Sequence, residues 1–301
     1  MIETYPWKRF WIKKSEIEKL RFDRGYICDP EKLFSEQVVN LRRLDKIDGL
    51  DDSGKVFILL GDAGLGKTIA VRNHIDKKEN AKVIDLSKVF NSETFNREIS
   101  IIDKSVEYVY FDSFDECFNT FPHIQEEMII FVDKTRNLKI RIVSRSSDWP
   151  SSFEGDLDQK RIGSETYFLQ SLRRKDVESC FETSKEYIEF SRKVEDLGLQ
   201  VFASKPITLI SLINEFKSNG TIPETQWKIY EKQCLSLCEE KNEKRNERGE
   251  NGRFSAKDRL ITAGRIAIVM KLCNFRLITD RIEKASVKDG ILHISEIDAV
   301  S

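Results

Sequence analysis

The sequence predicts an α/β fold: a P-loop three-layer α/β/α sandwich with a parallel sheet, followed by an α-helical subdomain. Three observations predict it. The octapeptide Gly61-Asp62-Ala63-Gly64-Leu65-Gly66-Lys67-Thr68 fits the phosphate-binding pattern G-x-x-x-x-G-K-[ST] at every fixed position. Around it, from about residue 55 to 170, short apolar runs alternate with helical stretches. That alternation is the pattern of parallel strands joined by crossovers. After Gln170 the apolar residues recur at helical spacing instead.

The chain has 301 residues, 40% hydrophobic and 34% charged. That length suggests two or three domains. We expect a lead-in over 1–50, a nucleotide-binding domain over 51–170, a helical subdomain over 171–275 and the start of a further unit over 276–301. Lys and Arg number 50 against 51 Asp and Glu. No global field therefore draws the chain to nucleic acid or to a membrane surface. No apolar run approaches the length of a membrane span, and the N-terminus carries no signal-peptide pattern. The six cysteines are scattered, which suits a reducing cytoplasm with most of them as small buried hydrophobes.

The lead-in holds Trp7, Phe10, Trp11, Phe22 and Tyr26, then a turn signal at Cys28-Asp29-Pro30. So many aromatic rings require a surface to pack on, and the segment is expected to wrap the core, within reach of an adenine. Strands are expected over 56–60, 81–86, 108–111, 140–143 and 166–169, with helices over 68–76, 92–104 and 124–135.

The octapeptide has the context its chemistry requires, a buried strand before it and a helix after it. Its glycines let successive N–H groups converge on one anion. The helix N-terminus adds free donors and partial positive charge. Gly61, Asp62, Ala63, Gly64, Leu65, Gly66, Lys67, Thr68 and Ile69 are therefore the expected nucleotide-binding residues. Lys67 would reach the β- and γ-phosphates, and the Thr68 hydroxyl would ligate Mg²⁺.

A second strand ends in acid: Tyr108-Val109-Tyr110-Phe111-Asp112-Ser113-Phe114-Asp115-Glu116. Asp112, at the strand end, is placed to hold the hydrated Mg²⁺. Asp115 or Glu116 would orient and deprotonate the attacking water. A third strand delivers Ser144-Arg145 at its tip, where the fixed charge of Arg145 would meet the γ-phosphate. Residues 151–165 read as a polar loop before the last strand.

The helical region opens with a helix around 172–178. A second follows Lys205-Pro206, with Pro206 at the first helical position and an apolar stripe of Leu209, Leu212, Ile213 and Phe216. A third carries Trp227, Tyr230, Cys234, Leu235 and Cys238. Residues 241–252 read as an exposed charged loop. Ser255-Ala256-Lys257-Asp258 resembles a capping box. The helix it opens has an apolar stripe through Leu260, Ile261, Ile266 and Met270. Residues 287–294 read as a strand beginning another unit. Cys234 and Cys238 lie one turn apart, but no second pair stands at ligand spacing, which favours packing over zinc. His74, His123 and His293 have no acid or nucleophile at motif spacing, so each reads as structural.

With these residues in place, the chain resembles the NACHT-like branch of the STAND class of P-loop NTPases. Asp112-Ser113-Phe114-Asp115-Glu116 is similar to that branch's extended acidic motif, and Ser144-Arg145 to its sensor arginine. Lys205-Pro206-Ile207-Thr208-Leu209 is similar to the segment whose proline packs on the adenine. Tyr230 with residues 234–240, Ala263-Gly264-Arg265-Ile266-Ala267, and the opening Pro6-Trp7-Lys8-Arg9-Phe10-Trp11 with Gly25-Tyr26-Ile27 resemble bacterial antiviral STAND proteins.

The resemblance implies a slow, Mg²⁺-dependent ATPase that works as a switch in antiviral defence. ADP would be held between the sandwich and a helical lid over 171–275, and exchange for ATP would drive homo-oligomerisation. It implies a sensor ligand or an effector protein as partner, neither of which is recognisable here. The chain ends where a winged-helix or sensor region is expected, so it reads as a fragment or as one with separate sensor and effector chains. Two other readings compete: a nucleotide-glued scaffold with little turnover, and an AAA-type motor. The lack of a basic groove argues against nucleic acid as the motor's substrate.

Overall fold

The computed structural model describes residues 7–29, 41–48, 56–135, 137–150, 152–222, 225–238, 255–273, 277–279 and 291–293. Pro6, Pro30, the loop expected over 241–252 and most of 276–301 lie outside these residues. The chain divides into two compact units, Met1–Ile222 and Pro223–Ser301.

The first unit is built on six strands: β1 (Trp11–Lys13), β4 (Val56–Gly61), β5 (Ala81–Asp85), β6 (Tyr108–Asp112), β7 (Lys139–Arg145) and β8 (Ser164–Leu169). Their spatial order is β1-β8-β4-β7-β6-β5. The five expected strands are all present and pair in parallel. The sixth adds an antiparallel edge strand to the expected parallel sheet. β1 comes from the lead-in and pairs antiparallel with β8, Trp11 opposite Leu169 and Lys13 opposite Tyr167. Antiparallel pairing needs no crossover helix, so three residues suffice. Trp11 and Ile12 are buried by it. A small hairpin, β2 (Phe22–Asp23) with β3 (Tyr26–Ile27), completes the lead-in.

Side chains alternate across a strand, so each strand feeds two cores. On one face Val56, Ile58 and Leu60 of β4 pack with Val109, Phe111, Ile140 and Ile142. Covering them are α3 (Ser92–Ile99), α4 (Phe114–Thr120), α5 (Ile124–Lys134) and α6 (Ser152–Gln159). On the other face Phe57 and Leu59 pack with Tyr110, Val143 and Tyr167. There the cover is α1 (Leu44–Asp48) and α2 (Lys67–Ile75). The result is the expected three-layer sandwich.

Helix α6 overturns the loop expected over 151–165. Phe153 and Leu157 stand one turn apart and are both fully buried, Phe153 against Phe114 and Trp149. Packing of that pair holds eight residues helical despite Gly155 in their midst.

The unit ends in α7 (Arg174–Glu178), α8 (Ser184–Asp196), α9 (Gln200–Ala203) and α10 (Pro206–Asn219). Pro206 stands at the helix start as expected, and Leu209, Leu212, Ile213 and Phe216 are buried. The second unit holds α11 (Gln226–Cys238), α12 (Ala256–Leu272) and a parallel pair, β9 (Leu277–Thr279) with β10 (Ile291–His293). The Ser255–Asp258 capping box is formed. The expected apolar stripe of α12 is only partly covered: Leu260, Ile266 and Met270 are half-buried and Ile261 is exposed. The cysteines correct another expectation. Cys117 and Cys180 are buried, whereas Cys234 and Cys273 are exposed and Cys28 and Cys238 lie between. No helix of the described residues is long and apolar enough to cross a membrane.

Candidate functional site

The chemistry-bearing residues converge at the C-terminal ends of β4, β6 and β7, where open parallel sheets hold their ligands. The register explains why. Gly61 at the tip of β4 pairs with Arg145 at the tip of β7, and β7 is the strand between β4 and the acid-ended β6. Three segments distant in sequence thus meet at one sheet edge. They bound a cavity of about 260 Å³, lined by Ala63, Gly64, Gly66, Lys67, Thr68, Ile69, Asp112, Ser113, Asp115, Glu116, Val143 and Arg145.

The loop after β4 turns on two glycines in the left-handed region, Gly64 at φ +78° and Gly66 at φ +79°. Gly66 stands at the start of α2, whose first turn has no side-chain cap. Its leading N–H groups are therefore orphan donors at a positive helix end. Lys67 folds back over the loop, its Nζ donating to the Gly61 carbonyl at 2.5 Å and the Asp62 carbonyl at 3.1 Å. Burial lowers the Lys67 pKa, and the Asp115 carboxylate partly offsets this.

Beside the loop, the Thr68 hydroxyl donates to the Asp112 carboxylate. Asp112 is 4% exposed, and burial raises its pKa against that hydrogen bond. The next residue, Ser113, holds a left-handed backbone at φ +61°, and its N–H donates to Asp112 Oδ1 at 3.0 Å. This turn starts α4 and brings Asp115 and Glu116 round to the cavity. The two acids differ. Asp115 is 4% exposed and accepts from Arg145 N at 3.1 Å, Arg145 Nε at 3.0 Å and Ser144 Oγ at 3.5 Å. Glu116 has a 53% exposed side chain that, among the described residues, meets only Arg145 Nη2, at 3.6 Å.

Of the residues expected to bind nucleotide, Gly61, Asp62, Leu65 and Pro206 do not line the cavity. Leu65 is buried in the core beneath the loop. Pro206 is buried too, its Cγ 3.8 Å from where a Cβ on Gly66 would lie. Sequence reasoning missed Val143, and also two contacts on the loop's outer side. Ile207 N–H donates to the Gly64 carbonyl at 3.4 Å, and Arg9 Nη2 donates to the Leu65 carbonyl at 2.9 Å. No local pattern announces a contact between residues so far apart. His74 is absent from the lining, and its ring meets that of Tyr110.

The donor set fits a magnesium–polyphosphate. The uncapped helix start, two left-handed glycines and a desolvated lysine suit phosphate oxygens. A hydroxyl bonded to a buried carboxylate offers hard oxygen ligands, and Mg²⁺ takes only one or two from protein when phosphates supply others. Among the described residues no group of three or more His, Cys, Asp or Glu forms a closed metal cage.

No family model matches the chain, and no curated protein matches it. Solved structures similar to parts of it include domain III of the Thermotoga maritima replication initiation protein DnaA. That match has 14% identity and a TM-score of 0.38, over 64% of this chain and 88% of that one. PCH-2 of C. elegans matches at 13% identity and TM-score 0.37, over 57% and 56%. The Thermotoga maritima RuvB Holliday junction branch migration motor matches at 11% and 0.36, over 73% and 70%. Likenesses this weak say nothing of the chemistry or partners of this chain.

Proposed function

We propose that the chain is an ATP-binding and hydrolysing switch of the STAND type, with an ADP-bound resting form and ATP-driven homo-oligomerisation. In that reading it works in the cytoplasm in antiphage defence, coupled to a sensor ligand or an effector protein. The observation that carries the nucleotide reading is the meeting of Lys67, Thr68, Asp112, Asp115, Glu116 and Arg145 in one cavity.

Each residue has a part. The N–H groups of Gly64, Gly66 and α2, with Lys67, bind the phosphates. Thr68 and Asp112 hold Mg²⁺, directly or through its water shell. Bound there, Mg²⁺ supplies charge that neutralises the phosphate oxygens. Asp115 spends both carboxylate oxygens on Ser144 and Arg145, so it fixes the β7 tip. Glu116, exposed and loosely paired, is the acid free to orient and deprotonate a water. Arg145 stabilises charge developing at the γ-phosphate. The switch part of the reading draws support from α10. Its first turn, Pro206 and Ile207, rests on the phosphate loop, so a helical segment touches the element that phosphate would reorder.

Glu116→Gln tests the hydrolytic role. Turnover should fall by about 100-fold or more, within the range of general-base effects, while ATP stays bound. Unchanged turnover removes Glu116 from that role. The scaffold reading keeps one observation in its favour, that Arg145 pairs with both candidate acids. It predicts co-purifying ADP, turnover at background in the wild type and no change of assembly with an ATP analogue.

A further inference from the structure

Leu65 stands between two glycines, so its flanking peptides can rotate cheaply. Its side chain is sunk in the core, but that anchors one atom set and not the peptide plane. The Leu65–Gly66 peptide is trans, as are all peptides of the described residues. In a trans peptide the carbonyl and the N–H point in opposite directions. Whatever grips the Leu65 carbonyl therefore decides where the Gly66 N–H points.

Arg9 grips it. Its Nη2 donates to the Leu65 carbonyl at 2.9 Å and to the Gln170 carbonyl at 2.7 Å. The strut is itself fixed. The next residue, Phe10, accepts from Gln170 N–H at 2.9 Å, and Trp11 begins the pairing with β8. The grip has a cost, since Arg9 Nε and Nη1 are buried with no hydrogen-bond partner among the described residues. Burial also pushes the guanidinium pKa down to about 10, which leaves it charged at neutral pH. Orphan donors of this kind are rare in folded proteins and ask for a reason.

We propose that Arg9 is a positioning residue of the phosphate loop, holding the Leu65 carbonyl outward so that the Gly66 N–H faces the cavity. The inference rests on the nucleotide reading above. It assigns Arg9 no contact with nucleotide. Arg9 acts through the peptide it holds, and it ties the loop to Gln170, where β8 hands over to the helical region.

The test is Arg9→Met, which fills the same space and removes both the grip and the orphan donors. MgADP affinity is measured by calorimetry, and the melting temperature without nucleotide beside it. The inference predicts that Kd rises about tenfold, the scale on which outer-shell supports act, with the unliganded melting temperature not lowered. A merely structural strut gives the reverse, a lowered melting temperature with unchanged Kd, and that result overturns the inference. If Arg9→Met does not fold, Arg9→Lys decides, since its side chain is one bond shorter and stops short of the two carbonyls that Nη2 holds. A Kd raised threefold or more in Arg9→Lys supports the inference, and an unchanged Kd overturns it. Failure of both variants to fold overturns it as well. A wild type that binds no MgADP removes the nucleotide reading and this inference with it. A wild type that binds, beside an unaltered Arg9→Met, removes this inference alone.

Discussion

Asp112 carries a charge that the fold alone does not welcome. Burial raises its pKa, while hydrogen bonds from Thr68 and the Ser113 N–H pull it back down. A carboxyl whose folded pKa lies above its unfolded value favours the folded state only while protonated. Stability therefore falls as pH rises from the ordinary value of 3.8 towards the raised one, and stays lost at neutral pH. Asp112→Asn should melt higher than the wild type at neutral pH without nucleotide, and the gap should close below the ordinary value. The same variant should bind nucleotide with less dependence on Mg²⁺. An equal or lower melting temperature at neutral pH would contradict this account of Asp112.

The contact between the phosphate loop and α10 is tight enough to be read by a single carbon. A Cβ at Gly64 would lie 2.4 Å from Ile207 Cγ2, and the backbone there is left-handed. Gly64→Ala should lose about 1–2 kcal/mol to backbone strain alone. It must also displace either the loop or the first turn of α10. A thermal melt unchanged from the wild type would show that the two elements yield freely. At the start of α7, Arg173 is 2% exposed and bonds Asp29 at 2.9 Å and Asp176 at 2.7 and 2.8 Å, with Phe10 stacked on its guanidinium. This cluster joins the lead-in to the helical region. Arg173→Ala leaves the Asp176 carboxylate buried without its cation, while Asp29 keeps Lys175 at 2.8 Å, so urea unfolding should show a loss of about 3 kcal/mol. A loss under about 1 kcal/mol would mean that water replaces the guanidinium easily.

At the scale of the whole molecule, contiguous chemistry was legible and distant contact was not. The phosphate loop and the acid-ended strand announce themselves because their chemistry needs neighbouring backbone groups in fixed order. β4 and β6 are buried along their whole length and read as apolar runs up to their tips, whereas β5 and β8 are only partly buried and show through shorter apolar stretches. β1 is three residues long, and its partner lies more than 150 positions away. Nothing local distinguishes it from any aromatic stretch. The brevity of α6 and its Gly155 hid a helix that only tertiary packing holds. Arg9 on Leu65 and Ile207 on Gly64 are contacts of the same kind, set by how β1 and α10 dock.

The central claim is that Lys67 and the loop it folds over bind the phosphates of a nucleotide. The most direct measurement is calorimetric titration of MgADP into the wild type and into Lys67→Ala, each first shown to be folded by circular dichroism. The account predicts saturable binding by the wild type and an affinity about 10- to 100-fold weaker in the variant, the loss expected for charge-assisted hydrogen bonds. Equal affinity in the two proteins would contradict it.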